Sequence, residues 1–172
     1  MLLNLKVFID ILQFSKGPQD LPANSSLLSF IILANMAVGL ISLDPNIDYT
    51  MNIFFALIYI IVTILFIKAA LTIRDNNTKT NKYSVRYLQV CSGTLGIHAL
   101  ITLMTGIIVL LLSPTGNLML SLFFVISIYG WFVNGHIFKN AFDTTMMFGL
   151  SISILHSMLF LLVIVILIQI LI

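Results

Sequence analysis

Long, almost unbroken apolar runs joined by short polar connections organise this chain from Leu27 to Ile172. A helix needs about 20 mostly apolar residues to cross about 30 Å of hydrocarbon. Five runs reach or approach that length: Leu27–Leu43, Met51–Ile73, Leu88–Leu112, Asn117–Phe138 and Phe148–Ile172. The first is the shortest, and Ser25 and Ser26 extend it. Backbone groups facing lipid must be bonded within their own segment, and five spans cannot close a β-barrel. The pattern therefore predicts an all-α polytopic bundle, one membrane domain over residues 1–172.

Ahead of the first run, Met1–Ser15 has a narrow polar face of Lys6, Asp10 and Gln13 and is otherwise almost wholly apolar. That distribution predicts an amphipathic helix lying in the membrane surface, with Lys6 and Asp10 toward water. A secretory signal fits less well, because Lys6 and Asp10 interrupt the apolar core and no small-x-small cleavage site follows. Gly17, Pro18 and Pro22 then end the helix and turn the chain toward the first span.

Charge sets the expected orientation. Lys6 and Lys16 precede the first run, Lys68 snorkels from the second, and Arg74, Lys79, Lys82 and Arg86 lie around the second connection. Lys139 lies in the fourth connection, whereas Asp44–Thr50 and Ser113–Gly116 contain no Lys or Arg. Every basic residue thus falls on one side of a five-span topology, which predicts a cytoplasmic N-terminus and an external C-terminus. A bacterial inner membrane is the expected location. The triplets Asn24-Ser25-Ser26 and Asn76-Asn77-Thr78 would then lie on the cytoplasmic side, unused for glycosylation.

Composition narrows the function classes. The chain is 60% hydrophobic and 8% charged, against about 25% charged in soluble domains. Its six acidic residues are all Asp, which leaves little for acid/base catalysis, and no nucleophile arrangement or phosphate-cradling loop occurs. No enzyme activity and no cofactor are expected. The net charge of +2 forms no basic stripe, so nucleic acid is not an expected partner. The single cysteine, Cys91, reads as a small packing residue.

Polar residues inside the runs carry the remaining information, since each needs a partner or a wet cavity. Cys91, Thr94, His98, Thr102 and Thr105 share one face of the third run, and Gly149, Ser153, His156 and Ser157 share one face of the fifth. Ser127, Gly130 and Asn134 do the same on the fourth, Asn35, Gly39 and Ser42 on the first, and Tyr59, Thr63 and Ala70 on the second. These stripes predict an interior polar cluster of Asn35, His98, His156, Thr102 and Asn134. One meaning is structural: small residues allow close approach and polar ones bond across helices. The other is functional, because Asn35, His98 and His156 lie at similar depth, roughly 12 to 15 Å from their helix ends, where two histidines relay protons or hold a polar solute. A metal site is not expected, as His98, His136, His156 and Cys91 show no paired ligand spacing.

The turn Gly17-Pro18-Gln19-Asp20-Leu21-Pro22 and the five-run layout resemble the Yip (Ypt-interacting protein) family of five-span membrane proteins. In that family Asp-Leu usually precedes Gly-Pro; here Gly-Pro comes first. The resemblance implies a non-enzymatic role in membrane organisation or partner binding. The leading expectation is accordingly a scaffold or accessory subunit, embedded in the lipid bilayer and joined to a membrane-protein partner or to further copies of itself. The alternative is a small-solute or proton transporter or channel subunit using the His98 and His156 region. A cavity reaching both histidines separates the two.

Overall fold

Apolar runs this long become helices because the backbone has no other way to bond itself away from water. The structure, a computed structural model, describes residues 5–40 and 49–171. It contains α1 (Leu5–Leu12), α2 (Ser25–Gly39), α3 (Tyr49–Thr78), α4 (Tyr87–Leu112), α5 (Asn117–Ala141) and α6 (Met146–Leu171). Short 3-10 turns occupy Pro18–Asp20 and Ser84–Arg86, and the described residues include no strand. The protein is an all-α bundle.

Four helices, α3 to α6, are long and apolar enough to cross a membrane. α2 is apolar but has 15 residues, about 22 Å at 1.5 Å per residue. Ile41–Leu43, the expected end of that run, lie outside the described residues, as do Met1–Asn4 of the expected N-terminal helix.

Local chemistry explains the helix ends. Asn24 caps α2 by accepting the Ser26 amide at 2.8 Å. At the end of α4, Ser113 turns left-handed at φ 41°, its N–H still bonded to the Val109 carbonyl, and Pro114 prevents continuation. α3 runs past its apolar stretch to Thr78, whose hydroxyl bonds the Arg74 carbonyl at 2.8 Å.

One end of the bundle is closely packed. Here Val90, Leu95 and Ile97 of α4 meet Val133, Ile137 and Phe138 of α5, all essentially inaccessible. α5 and α6 approach until a Cβ on Gly149 would overlap the Gly135 carbonyl oxygen. Arg86 seals this end: its Nη1 donates to the Asn140 and Ala141 carbonyls at 3.0 and 3.3 Å and to Asp143 at 2.9 Å. Those carbonyls are orphans of the α5 C-terminus, so a cation bonded to them also opposes the helix dipole. Lys82 is within 2.6 Å of the same carboxylate. Asp75 ties the connection back to α3 by accepting the amides of Tyr83 and Ser84 at 2.9 and 2.8 Å.

The N-terminal segment is a wedge in this end. Within its turn, the Gly17 amide donates to Asp20 Oδ2 at 2.9 Å, and Pro18 lies against Gly93 of α4. Gln89 donates to the Gln19 and Leu21 carbonyls at 3.0 and 2.7 Å. α1 is shorter than the helix expected over Met1–Ser15, and the bundle covers most of the apolar face that was expected to meet lipid. Val7, Phe8 and Ile11 are buried, and the Phe8 ring occupies the place of a Gly96 side chain. Leu5 and Phe8 reach the level of Gly96 and Leu100, about 14 to 20 Å along α4 from its start. Leu5 and Ile9 stay exposed. His136 is buried under Phe14, and its Nε2–H donates to the Lys16 carbonyl at 2.8 Å.

Toward the other end the helices separate. Past Ala99 only Thr105 and Gly106 of α4 are buried, and no residue of α5 before Val133 is.

Candidate functional site

The boundary between the close-packed and separated halves is where the polar stripes meet. His98 lies about 16 Å along α4 and His156 about 15 Å along α6, counted at 1.5 Å per residue, near the middle of each helix. Below them, toward the packed end, the Phe66 and Phe138 rings stand 5.1 and 6.3 Å from the His156 ring. Above them is a cavity of about 510 Å³ between α3, α4, α5 and α6, open on one side.

Four of the predicted cluster residues, His98, Thr102, Asn134 and His156, line this cavity. The fifth, Asn35, stands behind His98. Asn35 is buried, its Nδ2 donates to the Ile31 and Leu95 carbonyls at 3.0 and 2.8 Å, and its Oδ1 is 2.9 Å from His98 Nδ1. With both amide protons committed to carbonyls, Oδ1 is the acceptor, so Nδ1 of His98 carries the proton. The neutral ring then has an acceptor lone pair on Nε2, on the edge turned away from Asn35, and the described residues supply no hydrogen-bond partner for it. His156 is bonded elsewhere. Its Nε2 is 3.0 Å from the hydroxyl of Thr63, which is wholly buried in α3.

Tyr59 joins the two histidines. Its ring stacks on His98 with centroids 3.9 Å apart and presents an edge to His156 at 5.8 Å and to Phe160 at 5.4 Å. Such aromatic packing fixes ring orientation as well as burying area. Asn134 is the least satisfied member: its Oδ1 is buried and has no hydrogen-bond partner. A buried acceptor left unpaired costs about 1 to 3 kcal/mol.

The remaining wall is mixed. Ser127, Thr105 and Ser157 contribute hydroxyls, while Phe123, Trp131 and Phe160 supply flat apolar surface, and among the described residues no Asp, Lys or Arg lines the space. Trp131 is anchored by its Nε1–H to the Leu150 carbonyl at 3.3 Å. The aromatic walls were not among the residues singled out in the sequence, because a Phe or Trp inside an apolar run carries no sign of facing a cavity rather than lipid. Tyr59 and Thr63 did stand on the polar stripe of their run. Among the described residues no three His, Cys, Asp or Glu side chains converge as a metal would require.

No protein-family profile, curated protein or solved structure matches this chain. The similarity of Gly17–Pro22 to the Yip turn is therefore a resemblance of a short motif and of layout. Within the structure that motif has a local explanation in the wedge against Gly93 and Gln89.

Proposed function

We propose that this chain is a multi-pass membrane protein that holds a small, uncharged, hydrogen-bond-donating solute in the cavity between α3, α4, α5 and α6, as the substrate-holding part of a transport or channel assembly. The observation that carries this reading is the cavity itself: about 510 Å³, with both central histidines on its wall. Its size falls in the range of ligand pockets, which are mostly apolar with a few placed polar groups. The acceptor His98 Nε2 favours a ligand with N–H or O–H groups, and the absence of charged side chains among the described residues of the wall favours a neutral one. A purely adhesive scaffold has no use for this space. The close-packed half beneath it supports holding a solute, with passage requiring a change in that half.

The same reading takes the basic end as cytoplasmic and the run that contains α2 as a fifth span in a bacterial inner membrane. A reporter fused after Ile172 is then active only outside, and one inserted near Asn77 only inside. Activity of both on one side rejects the topology.

Trp131, the only tryptophan, reports on the cavity directly. In liposomes its fluorescence is expected to be quenched by acrylamide, a small neutral amide, and the quenching to fall several-fold in Ser127→Phe, which fills the space. Quenching by a doxyl lipid but not by acrylamide, or equal quenching in both proteins, contradicts the proposal.

A further inference from the structure

A second concavity has none of the three histidines on its wall. It is a groove of about 430 Å³ between α3 and α6 at the basic end, walled by Phe66, Ala69, Ile73, Phe148 and Leu155, with Arg74 near its mouth. From Phe66 to Asn77 it follows about 16 Å of helix, which is one leaflet's share of a hydrocarbon core about 30 Å thick. Apart from Arg74 and Asn77 its wall is apolar.

Arg74 is unlike the other cations at this end. Lys82 and Arg86 share Asp143, and Lys16 pairs with Asp10 at 3.1 Å. Arg74 has no carboxylate within ion-pair distance among the described residues, since the neighbouring Asp75 is engaged by Tyr83, Ser84 and Thr80. Its guanidinium is held over the Tyr83 ring at 5.4 Å and the Phe148 ring at 5.9 Å, and its Nε is buried with no acceptor. Stacking of this kind orients the guanidinium without consuming its N–H donors, and the fork of donors matches phosphate oxygens.

We infer that this groove is a site for one anionic phospholipid, its phosphate on Arg74 and an acyl chain along α3 and α6. Charge and shape select the occupant together. An unpaired, oriented guanidinium near the mouth wants an anion, and an apolar trough one leaflet deep wants a chain. Basic pockets between membrane helices on the cytoplasmic side use this combination. Asn77 adds an amide at the same level.

The test is lipid retention by the full chain, reconstituted in vesicles of equal phosphatidylcholine and phosphatidylglycerol, extracted in mild detergent and weighed by native mass spectrometry. One bound phosphatidylglycerol is expected on the wild type. Retention is expected to fall roughly tenfold in Arg74→Gln, which loses the charged donors, and to be lost in Ala69→Phe, which fills the groove from its exposed wall. Lys68→Gln removes an equal charge one and a half turns away and is expected to change nothing. Equal retention in Arg74→Gln, equal retention of phosphatidylcholine, or equal loss in Lys68→Gln overturns the inference. Displacement by millimolar inorganic phosphate alone also overturns it, because that marks an anion site without a lipid. If Arg74→Gln does not fold, Ala69→Phe and Arg74→Lys decide, the latter keeping the charge and part of the retention.

Discussion

The two halves of α4 divide the molecule. From Val90 to Ile97 the helix is buried on every side, by α1, the Pro18 turn and its neighbours. From Leu100 to Leu112 it is buried only at Thr105 and Gly106, and Leu110 is 80% exposed. Both stretches are apolar, and they differ sharply in residue size. Cys91, Ser92, Gly93, Thr94 and Gly96 crowd the first and admit close neighbours, whereas leucine and isoleucine fill much of the second. Helices in lipid associate through close packing at small residues, not through hydrophobicity. Residue size along an apolar helix thus marks where protein gives way to lipid or cavity.

Truncation is expected to separate the halves most. Phe138→Ala, in the packed half, should cost about 3 to 5 kcal/mol, while Phe124→Ala, largely exposed in the other half, should stay within about 0.5 kcal/mol. Reversible unfolding in detergent, followed by circular dichroism, measures both, and similar losses would erase the distinction. Glycine substitution should then reverse in sign. Gly149→Ala meets backbone atoms of α5 and is expected to lose about 1 to 3 kcal/mol. Gly130→Ala meets only Ile101 Cδ1 at 3.7 Å and should gain up to about 1 kcal/mol from helix propensity.

Much of this architecture was legible in the sequence. The expected spans 51–73, 88–112, 117–138 and 148–172 differ from α3 to α6 by five residues or fewer at each end. The largest difference is Arg74–Thr78, because hydropathy measures fitness for lipid and a helix continues beyond it. The polar cluster was legible too, since three- and four-residue spacing puts His98 and Thr102 on one face. What was not legible is the neighbour of an apolar surface. Phe8 against Gly96 and Leu5 exposed look alike in a sequence, so the protein contacts of α1 were missed. The tautomer of His98 needed the two carbonyls that take Asn35's protons.

Smaller effects belong to the seal on the packed end. Arg86→Gln strands the Asn140 and Ala141 carbonyls, leaves Asp143 to Lys82 alone, and should cost about 1 to 2 kcal/mol. Hydrogen bonds from Arg86, then from Lys82, hold the Asp143 carboxyl below its ordinary range. Stability from this group is therefore complete above the unfolded value near 4 and is lost as pH falls through the lower folded value. Asp143 is 40% exposed, so solvent screening should keep the whole effect under about 1 kcal/mol. In Asp143→Asn that part of the acid dependence should disappear, and an unchanged profile would remove Asp143 from the account.

Eleven residues of one helix allow the most direct test that α4 passes from sealed protein to an accessible cavity. Cys91 is fully buried, and Thr102 lines the cavity. In liposomes, N-ethylmaleimide should leave Cys91 unmodified in the native chain and should alkylate the new thiol of Thr102→Cys in a Cys91→Ala background. Rapid labelling of Cys91, or an inert thiol at position 102 in the folded protein, would contradict the account.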